Sequence, residues 1–263
     1  MTSKLNWLMS NTNPGGVILQ SWLSAHDISS QLAKKYVQSN WLVKLRSGVY
    51  VRPGRPSQWQ DAVYCLISQD KTQVRLIGLT SLTLQGKSQY LQSRSQSIWL
   101  GVPPKVVLPR WFRGFSENSS EKVGNEEPKW NVINMGKNQP SIENNLIELD
   151  VSGTHLPASN LELAIFEVLD AIPKLISFDH AAELFQGLVN LSPRKIQSLL
   201  QSSNSIKANR LFLFLADFYQ MPWRERLDDS KIDLGSGNRK IVSGGKLDKR
   251  YQITVPEKFI RRN

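Results

Sequence analysis

Between Gly16 and Pro53 the apolar positions change period, and the change predicts two short helices followed by a β-hairpin. Val17, Leu19, Trp22 and Leu23 fall at near-helical spacing, and His26-Asp27 then interrupts the pattern. Ser29 stands where an N-cap is needed, its hydroxyl accepting from a free backbone N–H of the next helix. That helix is expected over about residues 30 to 39, with Leu32, Tyr36 and Val37 on its inner face. Gln31, Lys34, Lys35 and Gln38 fall on the opposite face, with Ser30 in the first turn. Asn40 follows, a residue that tolerates the left-handed backbone in which helices often end. Two strands, Trp41–Leu45 and Val49–Arg52, flank Arg46-Ser47-Gly48, a turn with Gly available for positive φ.

Helix, turn, helix and hairpin make the plan of a winged helix-turn-helix. Its second helix carries long polar donors where a major-groove reader needs them: Ser30, Gln31, Lys34, Lys35 and Gln38. Lys44, Arg46, Arg52 and Arg55 on and after the hairpin are candidates to hold phosphates. A small helix-hairpin unit with a solvated basic face fits the same pattern.

Further along, Leu5, Trp7 and Leu8 predict a short first helix that covers the back of this unit. Pro53-Gly54-Arg55-Pro56 breaks the chain, and two helices are expected over residues 57–69 and 76–85. Strands are expected at Ser97–Val102, Val106–Leu108 and Trp130–Asn134, with an exposed loop at residues 116–128. Arg110, Trp111, Phe112, Arg113 and Phe115 mix cations with aromatics. They read as a partly buried strand end rather than as a base-stacking surface. Four helices are expected next, over residues 160–172, 179–188, 193–200 and 208–219, the last apolar nearly all round and therefore buried. Short strands at Lys231–Leu234, Lys240–Val242 and Gln252–Val255, joined by Gly-rich turns, close the chain. The fold class expected is α+β: an N-terminal winged helix-turn-helix, then a mixed, mostly helical domain with short strands. The division is placed at 1–95, with the winged helix over about 1–55 plus a helical extension, and 96–263.

The 263 residues carry a net charge of +11, and its location is informative. Residues 1–113 hold 14 Lys/Arg against 3 Asp/Glu, residues 114–238 hold 11 against 17, and residues 239–263 hold 8 against 2. Such asymmetry points to a polyanion at the basic segments. No basic amphipathic helix or lipidation motif favours a membrane surface instead. The start lacks the apolar stretch of a signal peptide, and the longest apolar run, Leu211–Ala216, is too short to span a bilayer. A single cysteine, Cys65, excludes an internal disulfide. The cytoplasm is the expected compartment.

Three places in the chain resemble the AbiEi family, the antitoxin and autorepressor half of type IV toxin–antitoxin systems. The first is DISSQLAKKYVQSNWLVKLRSGVYVRPG, residues 27–54, similar to that family's winged helix. The second is NLELAIFEVL, residues 160–169, similar to the helix that opens the antitoxin part. The third is DLGSGNRKIVSGGKLDKRYQITVP, residues 233–256, similar to the family's Gly-rich closing hairpin. Asn40 departs from the pattern, since related sequences commonly have Gly there. The resemblance implies that the N-terminal part binds inverted repeats in its own promoter. The C-terminal part would then oppose a nucleotidyltransferase-like toxin without requiring a stable complex. Arg239, Lys240, Lys246, Lys249 and Arg250 are candidates for an antitoxin surface, against the alternative of a solvated hairpin that keeps the protein soluble. A monomer in free solution and two copies on an inverted repeat are expected.

No catalytic residue, metal or cofactor is expected. His26, His155 and His180 are scattered, and none has a metal-ligating partner three or four residues away. The glycine pairs lack the spacing of a phosphate loop or dinucleotide site, and there is no GxSxG elbow. The alternative function is a winged helix fused to a metal-dependent nuclease-like domain, with Glu127, Lys129, Glu148 and Asp150 as its carboxylate and lysine candidates.

Overall fold

The computed structural model describes residues 3–87, 97–115, 128–136 and 139–260. Most of the 116–128 loop, Glu127, Arg261 and Arg262 lie outside them.

The chain opens with helix α1, Lys4–Ser10, capped by the Ser3 hydroxyl, which accepts from Asn6 N. Strand β1, Val17–Leu19, runs directly into α2, Gln20–Ala25. Helix α3, Ser30–Gln38, follows, and Ser29 caps it as expected by accepting from Leu32 N. The hairpin is β2, Val43–Arg46, and β3, Val49–Val51. The three strands form an antiparallel sheet in the order β1-β3-β2, with Ile18 opposite Tyr50 and Lys44 opposite the same residue. Leu8, Ile18, Leu23, Ile28, Ala33, Tyr36, Leu42 and Tyr50 make one core beneath it.

The expected helix from Val17 is thus a strand before it is a helix. Val17, Ile18 and Leu19 are all buried, so both faces of the segment need apolar side chains, and a continuous run reads ambiguously as strand or helix. Helix α4, Trp59–Ser68, closes the unit, and its Gln69 amide accepts from Leu19 N and donates to Val17 O, at 2.8 and 2.9 Å. A side chain therefore satisfies the edge of β1 that has no neighbouring strand.

Strand β4, Arg75–Leu76, and helix α5, Gly78–Leu84, come next, then β5, Ser97–Val102. Helix α6, Arg110–Arg113, replaces the strand end expected there. Val106–Leu108 is not a strand either: Pro103, Pro104 and Pro109 surround it, and proline offers no N–H to a ladder. Strands β6, Lys129–Asn134, β7, Leu146–Val151, and β8, Thr154–Ser159, complete a sheet of order β6-β5-β4-β8-β7. β4 and β8 are parallel, with Leu76 opposite Ala158.

Four helices follow: α7, Leu161–Asp170; α8, Phe178–Gln186; α9, Pro193–Ser202; and α10, Ile206–Phe218. Eight consecutive residues of α7, Glu162–Leu169, are buried. Its Glu167 carboxylate accepts from Gly78 N at 2.8 Å and from the Ser159 hydroxyl at 3.0 Å. α10 is buried from Ala208 to Ala216, as its sequence predicts. The end is a small sheet of β9, Arg239–Lys240, β10, Lys246–Asp248, and β11, Ile253–Val255, in the order β10-β11-β9.

Lys231–Leu234 forms no strand. Asn209 Nδ2 donates to Asp233 O at 2.9 Å and Arg210 Nε to Leu234 O at 2.5 Å, so buried side chains of α10 take the carbonyls a ladder would have used. Arg210, 2% exposed, also holds Gly237 O at 2.7 Å.

The chain divides into two compact units. One comprises residues 1–75, 92–132 and 149–156; the other comprises 76–91, 133–148 and 157–263.

Candidate nucleic-acid interface

On α3 the inner face is Leu32, Ala33, Tyr36 and Val37. The outer face is Ser30, Gln31, Lys34, Lys35 and Gln38, all exposed. Burial raises the Tyr36 hydroxyl pKa, which keeps that inward-facing group neutral. The helix ends at Asn40 with φ of 58°, in the left-handed region expected of it. Among the described residues, Lys34, Lys35 and Lys44 make no ion pair or side-chain hydrogen bond. Two amides, three ammonium groups and a hydroxyl are thus presented to solvent from one helix and the strand after it. Amides can read the adenine edge, while ammonium groups hold phosphates.

The arginines behave differently from the lysines. Arg52 is half-buried; its Nη1 donates to Met9 O at 2.7 Å and to Thr12 O, which fastens the end of α1 to the hairpin. Arg55 forms a two-pronged pair with Asp61, at 2.7 and 2.6 Å, and its hydrogen bonds to that carboxylate raise the pKa of the Arg55 guanidinium. Asp61 also accepts from Gln58 N at 2.8 Å as part of the cap of α4. Arg46 is exposed, and its guanidinium reaches the Gly114 carbonyl. Of the four hairpin cations named from sequence, Lys44 and Arg46 are exposed. Arg52 and Arg55 are engaged by intramolecular partners, the carbonyls of Met9 and Thr12 and the carboxylate of Asp61.

One positioning residue gave no sequence signal. Gln20 looks like any polar residue of an amphipathic helix. Its backbone N–H donates to Gly48 O at 2.8 Å, its Nε2 to Ser24 Oγ at 3.1 Å and to Ile28 O at 3.2 Å, and its Oε1 accepts from Tyr50 at 3.1 Å. The hairpin, α2 and the turn before α3 are joined through this side chain.

Two family descriptions match the sequence: the N-terminal domain of the AbiEi antitoxin transcriptional regulators over residues 1–93, and the AbiEi antitoxin transcriptional regulator of type IV toxin–antitoxin systems over residues 95–256. The chain belongs to the AbiEi family. AbiEi proteins are transcriptional regulators and antitoxins, which makes the chain a DNA-binding antitoxin by family. Its fold is similar to that of the RV2827C protein from Mycobacterium tuberculosis, with a TM-score of 0.60 at 16% identity over 95% of this chain and 88% of that one. Among curated proteins no match is found.

In the C-terminal part of this AbiEi chain, the five basic candidates separate as well. Lys246 pairs with Glu257. Arg250 meets Asp217 at 2.7 Å and lies 5.2 Å from the Tyr251 ring centroid. Arg224 and Tyr251 share Asp217 with it; burial, then the Asp217 hydrogen bond, raises the Tyr251 pKa. Arg239, Lys240 and Lys249 are exposed and make no ion pair among the described residues. The carboxylates Glu148 and Asp150 are exposed along β7. No three His, Cys, Asp or Glu side chains among the described residues converge to hold a metal ion. No helix among them is long and apolar enough to cross a membrane.

Proposed function

We propose that the chain represses its own toxin–antitoxin operon through α3 and the β2–β3 hairpin, and opposes a nucleotidyltransferase-like toxin through residues 96–263. The observation that carries the first half is the outer row of α3. Ser30, Gln31, Lys34, Lys35 and Gln38 are exposed, and Lys44 and Arg46 follow on the hairpin strand. One short helix and the strand after it present amides for base contacts and cations for phosphate contacts. Membership in a regulator family supports this placement. The antitoxin half rests on the family and on the exposed cations Arg239, Lys240 and Lys249 of the closing segment.

The experiment has two readouts in one strain. A reporter under the operon's promoter measures repression, and induction of the neighbouring toxin gene measures rescue. A Gln31→Ala, Lys34→Ala, Lys35→Ala variant is expected to lose repression and keep rescue. A Lys240→Glu, Lys249→Glu variant is expected to do the reverse. Loss of both activities in either folded variant counts against a division of labour.

A further inference from the structure

Three cations and one carboxylate line a cleft at the N-terminal end of α10. A polar cleft of about 370 Å³ there is lined by Asp170, Lys174, Asn204, Ser205, Lys207 and Arg239, with Ile206. Its cations come from three places in the chain: the segment after α7, the first turn of α10, and β9. We propose that this cleft binds the phosphate groups of a nucleotide, with Lys174, Lys207 and Arg239 as its cationic ligands and no reading of the base.

Three cations face one carboxylate, and that carboxylate is already engaged. Asp170 Oδ1 accepts from the Ser205 hydroxyl at 2.6 Å and lies 3.9 Å from Lys207 Nζ. Lys207 Nζ is held in place by two backbone carbonyls, those of Asp170 and, at 2.8 Å, Ile172. These carbonyls order its ammonium group among the lining residues of the cleft. Burial lowers its pKa, Asp170 opposes that shift, and the proximity of Lys174 lowers it further. Arg239 acts in the same way on the buried Arg210, whose pKa falls by burial first and by Arg239 second. Asp233 opposes the shift at Arg210 as Asp170 does at Lys207, and cations gathered beside these two carboxylates create a field that a multivalent anion relieves.

A cleft of this volume is at the small end of ligand sites. Among the described residues its lining contains no aromatic ring, and Ile206 is the one apolar side chain, so these residues give a base no surface to stack on. The hydroxyl of Ser205, the ammonium groups and the guanidinium fork all match phosphate oxygens. A polyphosphate tail fits this set, and the nucleoside would project into solvent. The site stands on these contacts and not on the toxin reading above.

Lys174 and Arg239 are exposed, whereas Lys207 supports the end of α7, so the first two are the positions to change. Calorimetric titration of the full chain with inorganic tripolyphosphate, and then with ATP and GTP, is expected to show saturable one-site binding of similar strength for all three. Lys174→Ala and Arg239→Ala are each expected to weaken it about ten-fold, with operator binding unchanged. Titrating a short RNA into the tripolyphosphate complex distinguishes the source of the phosphate. No displacement assigns the cleft to free nucleotides, and displacement by the RNA overturns that in favour of a nucleic-acid backbone. No saturable binding of tripolyphosphate, or binding equally strong in the double variant, overturns the proposal. A marked preference for ATP over GTP overturns its base-blind character.

Discussion

A lysine and an arginine drawn from the same basic stretch have different fates here, and the difference is testable one residue at a time. Lys34 is exposed on α3 with no internal partner among the described residues, so its charge is available to a phosphate. Lys34→Ala is expected to weaken binding to all DNA sequences and to reduce the salt slope of binding by about one; fluorescence anisotropy across a salt series measures both. An unchanged slope in the folded variant removes Lys34 from the interface. Arg55, by contrast, is paired with the buried Asp61. Asp61→Asn removes one charged acceptor while leaving Gln58 N capped in part, and is expected to cost about 1–3 kcal/mol in urea unfolding. Its effect on DNA discriminates between two roles. If Arg55 only braces α4, affinity stays the same; if it is a phosphate ligand restrained by Asp61, affinity rises when the restraint goes.

At the scale of elements, the outer face of α3 is useful only if the helix is held at a fixed angle to its hairpin, and Gln20 is the fastening. Gln20→Ala removes the side-chain bonds to Tyr50, Ser24 and Ile28 together. It is expected to lower stability by about 1–2 kcal/mol and to weaken operator binding more than Lys34→Ala does, because it misplaces every contact at once. Thermal unfolding and anisotropy measure the pair; full affinity would show that the hairpin needs no such tie. α3, its Ser29 cap, its outer row and the left-handed Asn40 are legible in the sequence, because each follows from a local rule about adjacent residues. What depends on distant partners is not legible there. Val17–Leu19 is a strand because β3 lies beside it, and β10 and the two-residue β4 exist only through pairing. Lys231–Leu234 fails as a strand because Asn209 and Arg210 take its carbonyls first. The candidate site divides in the same way. Exposure of Gln31, Lys34, Lys35 and Gln38 follows from helical period, whereas the engagement of Arg52 by Met9 and Thr12 required the α1 backbone to be seen.

For the molecule as a whole, the charge distribution bears on how many copies act together. The surplus of basic residues is concentrated in 1–113, while 114–238 has more acidic than basic residues. One recognition helix fits one stretch of major groove, so one chain covers one half-site. Much of the affinity of one small module is phosphate attraction that any sequence supplies and that salt weakens. A regulator confined to one promoter gains discrimination by placing two copies on an inverted repeat. The helices among the described residues are short: α10, with 13 residues, is the longest, and its middle is buried within its own chain. None of them offers the long apolar seam of a coiled-coil dimer. We therefore expect a monomer in free solution and two copies on the full operator, with cooperativity arising on the DNA through contact or bending. Sedimentation equilibrium of the free protein, followed by titration of whole and half operators, measures both states. The expected result is one chain without DNA, two chains on the whole site, and a half-site affinity well below the per-copy affinity on the whole. A stable dimer without DNA, or saturation of the inverted repeat by one copy, would show that pairing has another origin.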